Sequence, residues 1–255
     1  MFMAWAMWNG RLDRLSDTRI PADDPGFLLG HTVFETMEVR DGVIRAFDLH
    51  MDRLTFSASR ALLDMPDASL IRAEVLETAS RVGQLCRVRV TLTGGGNRLV
   101  SAVALDCARR FRPIRAVRGQ HVHEPILGGR VKHGSRAHWV VAVRNSGVDD
   151  VLMVDQDGRF TEGTTTGVWA IVDGVLWTAP DDGRILVSIG ILQLLEVATV
   201  LGIPIRREGA EASGPWDGLY VASATRGIAP VAELDGQALR GWEPIGMRIR
   251  DALDR

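Results

Sequence analysis

The chain holds 29 arginines and one lysine, Lys132. Arginine supplies charge and forked hydrogen bonds at least as well as lysine, but it does not release its proton near neutral pH. A solitary amine among so many guanidinium groups is a candidate for the work arginine cannot do: nucleophilic attack on a carbonyl to form a Schiff base. The same count also fits arginine-biased coding with one surface survivor, so the surroundings of Lys132 must decide. A free lysine has a pKa of about 10.4 and acts near neutrality only when it is desolvated or set beside a cation. Arg130 and Arg136 are the local candidates for that cation.

Other chemistry-bearing patterns are thinner. His121 and His123, two apart, could offer one face of a metal site, but no Asp, Glu or Cys set of matching spacing accompanies them. Gly94-Gly95-Gly96-Asn97 is glycine-rich like a phosphate loop, yet no Lys-Ser/Thr follows and strand-like runs flank it, which reads as a hairpin loop. Cys86 and Cys107 lie in apolar runs without CxxC spacing and are expected as buried free thiols. A net charge of -2 with scattered arginines argues against a nucleic-acid partner. The opening MFMAWAMWNG lacks a basic start and is too short to span a bilayer, so a cytoplasmic protein with no membrane partner is expected.

The elements that must position these residues alternate between strand and helix. Thr32 to Val39 reads as a strand, Asp41-Gly42 as a tight turn, and Val43 to Phe47 as its hairpin partner. Asp48 can cap a helix through HMDRLTFSASRALL, and a second helix follows from Ser69 to Val82. Strands are expected over Cys86 to Thr93 and Val100 to Leu105. Arg109 to Arg118, rich in arginine and holding Pro113, reads as an extended connection between an N-terminal domain (1–115) and a C-terminal domain (116–255). In the second half, strands are expected over Asp149 to Asp155, Gly167 to Val172, Val175 to Thr178, Leu219 to Ala222 and Val231 to Leu234. Asp157-Gly158, Asp173-Gly174 and Asp235-Gly236 supply turns, and Ile189 to Leu201 forms a helix closed by Gly202. No GxGxxG follows a strand, so a Rossmann site is not expected.

Taken in order, GHTVFETMEV from Gly30, then DLHMDRL, VKHGSR, TEGTTTGVWAIVDG, GRILVSIGILQLLEVA and ASATRGIAPV resemble the fold-type IV pyridoxal-phosphate enzymes. That family includes branched-chain and D-amino-acid aminotransferases and aminodeoxychorismate lyase. The resemblance spans nearly the whole chain. It implies an α/β (α+β) fold with a smaller N-terminal α/β domain and a larger C-terminal pseudo-barrel domain that binds pyridoxal 5′-phosphate.

The resemblance makes Lys132 the amine that carries the cofactor and shuttles the α-proton, and Glu162 the carboxylate paired with the pyridine nitrogen, which keeps the ring an electron sink. It makes Arg53 the guanidinium that grips the phosphate. Ile189 and Gly190 open a helix whose N-terminal amides would meet the phosphate, and Ser223, Ala224 and Thr225 would add a second set of contacts. Two positions depart from the family pattern: Gly190 stands where a threonine is usual, and Gly167 where an asparagine is usual. The implied activity is transfer of an amino group from a small-molecule donor, an amino acid or amine, to a keto-acid acceptor, in a homodimer. The alternatives are a lyase that releases pyruvate from aminodeoxychorismate, and an idle member that binds cofactor without turnover. Phe34-Glu35-Thr36 resembles the lyase branch as much as the transaminases.

Overall fold

The computed structural model describes residues 4–121 and 126–253, so His123 lies outside the described residues. Two compact units emerge, Met1–Asp106 with Arg130–Arg136, and Cys107–Gly129 with Ala137–Arg255. Compared with a cut at 115/116, residues 107–115 go with the second unit and the seven residues around Lys132 with the first.

The first unit is a sheet with its two long helices on one face. In chain order it holds β1 (Ala4–Trp8), β2 (Arg11–Arg14), α1 (Pro25–Leu28), β3 (Thr32–Arg40), β4 (Val43–Ile44), α2 (Phe47–Arg60), α3 (Ala68–Ser80), β5 (Leu85–Thr93) and β6 (Arg98–Ala104). The strands pair antiparallel in the order β2-β1-β6-β5-β3-β4. Asn9-Gly10 and Asp41-Gly42 take positive φ at both residues, the conformation that two-residue hairpins demand. The α2 helix begins one residue before Asp48, on Ala46 in the left-handed region with no side-chain cap. Phe47 therefore leaves the expected strand, and Asp48 is an exposed first-turn residue.

Alternation along β3 sends Val33, Glu35, Met37 and Val39 to one face, opposite Leu92, Val90, Val88 and Cys86 of β5. All eight are buried. The helices cover this face, with His50, Leu54 and Ser57 of α2 and Ile71 and Val75 of α3 buried. Seven of the eight sheet positions are apolar or thiol. The eighth, Glu35, is a carboxylate in a core position.

The second unit begins with a 3-10 turn, Cys107–Arg109, that leaves Cys107 exposed rather than buried in a strand. Cys86 is buried and both thiols are free. Then come β7 (Ile114–Gln120), α4 (Ala137–Ser146), β8 (Asp150–Val154), β9 (Phe160–Gly163), β10 (Gly167–Val172), β11 (Val175–Thr178), α5 (Ile189–Val200), β12 (Ile205–Arg206), β13 (Gly218–Ser223), β14 (Gly227–Leu234), β15 (Gln237–Ala238) and α6 (Pro244–Leu253). Much of the expected arginine-rich connection is thus a strand within the sheet: β7 pairs parallel with both β14 and β8.

Strands β10, β13, β14, β7, β8 and β9 follow one another, and β9 pairs back onto β10 through Glu162 and Gly167, closing the sheet on itself. One side of this ring packs Ile114, Leu152, Phe160, Val168 and Val221. The other packs Trp169, Ile171, Tyr220 and Ile228 with Leu194 of α5 and Ile249 of α6. Apolar demand on both faces explains why GVWAIV and GLYVA read as continuous apolar runs. Tyr220, the only tyrosine, belongs to this core: it stacks on Trp169 at 4.2 Å, and its hydroxyl accepts from the Glu243 amide at 3.0 Å.

Candidate active site

Lys132 is fixed first through its backbone. Its N–H donates to Ser57 Oγ of α2 at 3.1 Å, and its carbonyl accepts from the Phe34 amide of β3 at 2.9 Å. An antiparallel bridge between Val33 and His133, and a bond from Gly134 N to Thr32 O at 2.8 Å, continue this short pairing. A Cβ at Gly134 would sit 1.9 Å from Thr32 Oγ1, so the close approach after Lys132-His133 needs glycine.

The amine lies 4.9 Å from the centre of the Phe34 ring. Arg89 stacks on the same ring at 3.5 Å, and Arg136 stands 5.9 Å from it. Burial pulls the Lys132 ammonium down; the Arg53 charge adds to this, Glu35 opposes it, and Arg136 and Arg89 lower it further, to about 7. The leading cation is therefore Arg53, brought in by the fold, and of the two sequence neighbours Arg136 adds to its effect. A half-neutral amine at physiological pH is what nucleophilic chemistry requires.

Arg53 is itself held by Glu35. Nε donates to Oε1 at 2.6 Å and Nη2 to Oε2 at 2.7 Å, a forked pair, while His50 Nδ1 bonds Oε2 at 2.7 Å. Burial alone would push the Glu35 carboxyl up. The Arg53 charge and hydrogen bonds, the His50 bond and the Lys132 charge overcome that and hold it at about 2. As a carboxylate, Glu35 can only accept, so Nδ1 carries the proton of a neutral His50. Burial keeps His50 below its ordinary value; Glu35 opposes this, and the Arg53 and Lys132 charges reinforce it. His50, Arg53 and Ser57 stand at i, i+3 and i+7 on α2, one face of a helix.

The second unit gathers the other expected residues. Glu162 sits on β9 directly opposite Gly167 of β10, and its Oε2 accepts from Leu186 N at 3.3 Å. The TEGTTTG turn is shaped by buried Asp150, whose carboxylate accepts from the amides of Val151 and Thr164 and from the hydroxyls of Thr164 and Thr166. The two departures, Gly167 and Gly190, prove to be packing requirements. A Cβ on Gly167 would meet Ile191 Cγ1 at 2.4 Å, and one on Gly190 would meet Ser223 N at 2.8 Å. Both bring the first turn of α5 down onto the sheet. Gly190 thereby reaches the end of β13, where Ser223 precedes the turn holding Ala224 and Thr225 and its Oγ accepts from Arg226 N at 3.3 Å.

The structure thus places Lys132 and Arg53 together in the first unit, and Glu162, Ile189, Gly190 and Ser223 together in the second. Sequence reasoning missed Glu35, Phe34, Ser57 and Arg89 as functional candidates. Glu35 did leave a signal, a carboxylate at an apolar-phase position of β3.

The family model "Amino-transferase class IV" matches residues 32–234. The chain belongs to this family. As a class IV aminotransferase it is 27% identical to a Methanocaldococcus jannaschii protein named "Putative branched-chain-amino-acid aminotransferase", over 91% of this chain and 88% of that one. It is 24% identical to the D-alanine aminotransferase of Listeria innocua, over 89% and 86%. It also superposes on the PLP-bound form of a hypothetical aminotransferase from Mycobacterium tuberculosis with a TM-score of 0.87 and 25% identity, covering 98% of this chain and 97% of that one. The chain is therefore a PLP-dependent aminotransferase with a fold-type IV architecture. These relatives do not favour the lyase or the idle binder. Among the described residues no helix is long and apolar enough to cross a membrane, and no group of three metal-ligating side chains occurs.

The residues present fit an anionic aldehyde cofactor. The first unit offers a depressed amine beside a fixed guanidinium, and the second a helix N-terminus where a glycine exposes the backbone.

Proposed function

We propose that Lys132 is the amine on which this aminotransferase turns, acting on α-amino acids and their keto acids. The observation that carries the reading is the placement of Lys132, tied to Ser57 through its backbone with its amine 4.9 Å from the Phe34 ring, where burial and the Arg53 charge bring its pKa down to about 7. When bound, the cofactor supplies a carbonyl that condenses with amines and a ring that accepts an electron pair from the substrate carbon. Lys132 attacks in its neutral form and holds or returns a proton in its charged form. Arg53 binds the phosphate through charge, with the N-terminal amides of α5 at Ile189 and Gly190 and the Ser223, Ala224 and Thr225 turn as further donors. Glu162 pairs with the ring nitrogen.

Arg89 supports a carboxylate-bearing substrate. Its Nε donates to Thr91 Oγ1 at 3.2 Å, it lies on Phe34, and among the described residues no carboxylate pairs with it. Burial and the charges of Arg136 and Arg87 bring its pKa down to about 10, so an incoming carboxylate would relieve a strained cation. D-alanine and branched-chain amino acids, named for the relatives, are both candidate donors. A cytoplasmic homodimer completes the reading.

Borohydride reduction of the PLP-loaded protein, followed by peptide mass spectrometry, tests it. Label is expected on Lys132 alone, since the chain's only other amine is its N-terminus. An unmodified Lys132 in reduced, PLP-containing protein overturns the assignment.

A further inference from the structure

Burying a carboxylate on a sheet face otherwise built from Val, Met, Leu and Cys is unfavourable, even when paired. An ion pair of this kind is commonly matched or exceeded in stability by apolar side chains of similar volume. Glu35 nevertheless occupies the centre of that face with no solvent exposure, spanned by both ends of the Arg53 fork and by His50. His50 is also nearly fully buried, so the arrangement is rigid on three sides. Three cations gather around the Lys132 amine: Arg53 from α2, Arg89 from β5 and Arg136 from its own segment. Glu35 is the anion that opposes them, its charge raising the Lys132 pKa where theirs lower it.

We infer that Glu35 is a positioning residue for both functional side chains of the first unit: it fixes the core-facing Nε–Nη2 edge of Arg53, and its charge offsets the arginines gathered around the Lys132 amine. The inference rests on the reading that Lys132 and Arg53 serve the cofactor. Two Arg53 nitrogens are committed to the carboxylate, which fixes the plane and rotation of the guanidinium before any phosphate arrives. A forked grip on phosphate depends on that preorganisation. The effect on Lys132 has a defined sign. Glu35 favours the protonated amine, so removing its charge lowers the pH at which Lys132 loses its proton.

The test uses the full chain freed of cofactor, with variants Glu35→Gln and Glu35→Asp. Two readouts are independent of turnover. The first is competitive amine labelling of Lys132 across pH, read by mass spectrometry. The second is the ratio of affinities for pyridoxal phosphate and for pyridoxal, which isolates the phosphate grip. In Glu35→Gln the labelling midpoint is expected to fall by about one pH unit, and the affinity ratio by about tenfold. Glu35→Asp keeps the charge but withdraws it from Arg53, so the ratio should fall while the midpoint stays near that of the parent. Should Glu35→Gln fail to fold, Glu35→Asp decides alone. A folded variant in which neither quantity moves as stated overturns the inference. If Arg53→Ala leaves the affinity ratio of the parent unchanged, or Lys132 escapes borohydride labelling, the underlying assignment fails instead.

Discussion

Gly190 offers the sharpest quantitative test of how α5 is seated. Replacing it with alanine brings two opposed effects. Alanine is the better helix former, by up to about 1 kcal/mol in a helix interior and less in the first turn, where Gly190 lies. Against this, the new Cβ would stand 2.8 Å from Ser223 N and 3.0 Å from both its Cα and carbonyl carbon. All three are backbone atoms of β13, which cannot rotate out of the way as a side-chain tip would. Overpacking of this kind costs roughly 1–3 kcal/mol, so the clash outweighs the propensity gain and a net loss of about 1–2 kcal/mol is expected. In a chain of this size that corresponds to a fall in Tm of roughly 2–8 °C. Gly190→Thr should lose at least as much. Because the helix must lift to admit the side chain, affinity for pyridoxal phosphate should fall too, although the variant restores the hydroxyl common in the family. Thermal unfolding and a cofactor titration read the two quantities. A Gly190→Ala protein more stable than its parent, or a Gly190→Thr protein that binds cofactor more tightly, would refute this account of the helix seat.

Two further outcomes follow from side chains around the same machinery. Asp150→Ala strands two amides and two hydroxyls in a buried turn and should cost about 2–4 kcal/mol, with weakened cofactor binding through the displaced Glu162; denaturant unfolding checks the first and absorbance titration the second. Arg89→Ala should raise KM for amino-acid donors by about tenfold or more while leaving cofactor affinity unchanged, as expected when one charge-assisted hydrogen bond to substrate is lost. An unaltered KM would remove Arg89 from the substrate site.

The hairpins were readable because their chemistry is local. Asp41-Gly42, Asp173-Gly174 and Asp235-Gly236 all take the two consecutive positive φ values that such pairs favour. Core strands of the second unit were readable from continuous apolar runs. Elements lacking a buried stripe were not: α4 has no buried residue, so its sequence carried no helical period toward a core. Strand β7 kept its alternation, with Ile114 and Ala116 buried and Arg115 outward, but the density of arginine suggested a connection. At the site, Lys132 and Glu162 could be singled out from motifs, whereas the environment that sets the chemistry of Lys132 could not. Arg53, Glu35 and Arg89 approach it through tertiary packing, from distances of 43 to 97 positions along the chain. Gly167 and Gly190 looked like losses because sequence comparison counts missing atoms and does not see the backbone that fills their place.

The pairing of Lys132 and Gly134 with β3 has a consequence for how the first unit can be made. Along one edge β3 is covered throughout by β5; along the other, β4 pairs only its Val39–Arg40 end. The Thr32–Phe34 end is closed by residues 132–134, which arrive after the chain has left the unit at Asp106 and begun the second. A nascent or truncated chain ending near residue 106 would therefore present an open strand edge that includes Val33, Phe34 and Met37, the kind of template on which chains stick to one another. The segment that carries Lys132 is the cover for that edge, so on the proposed role of Lys132 solubility and catalytic competence would be acquired in the same step of synthesis.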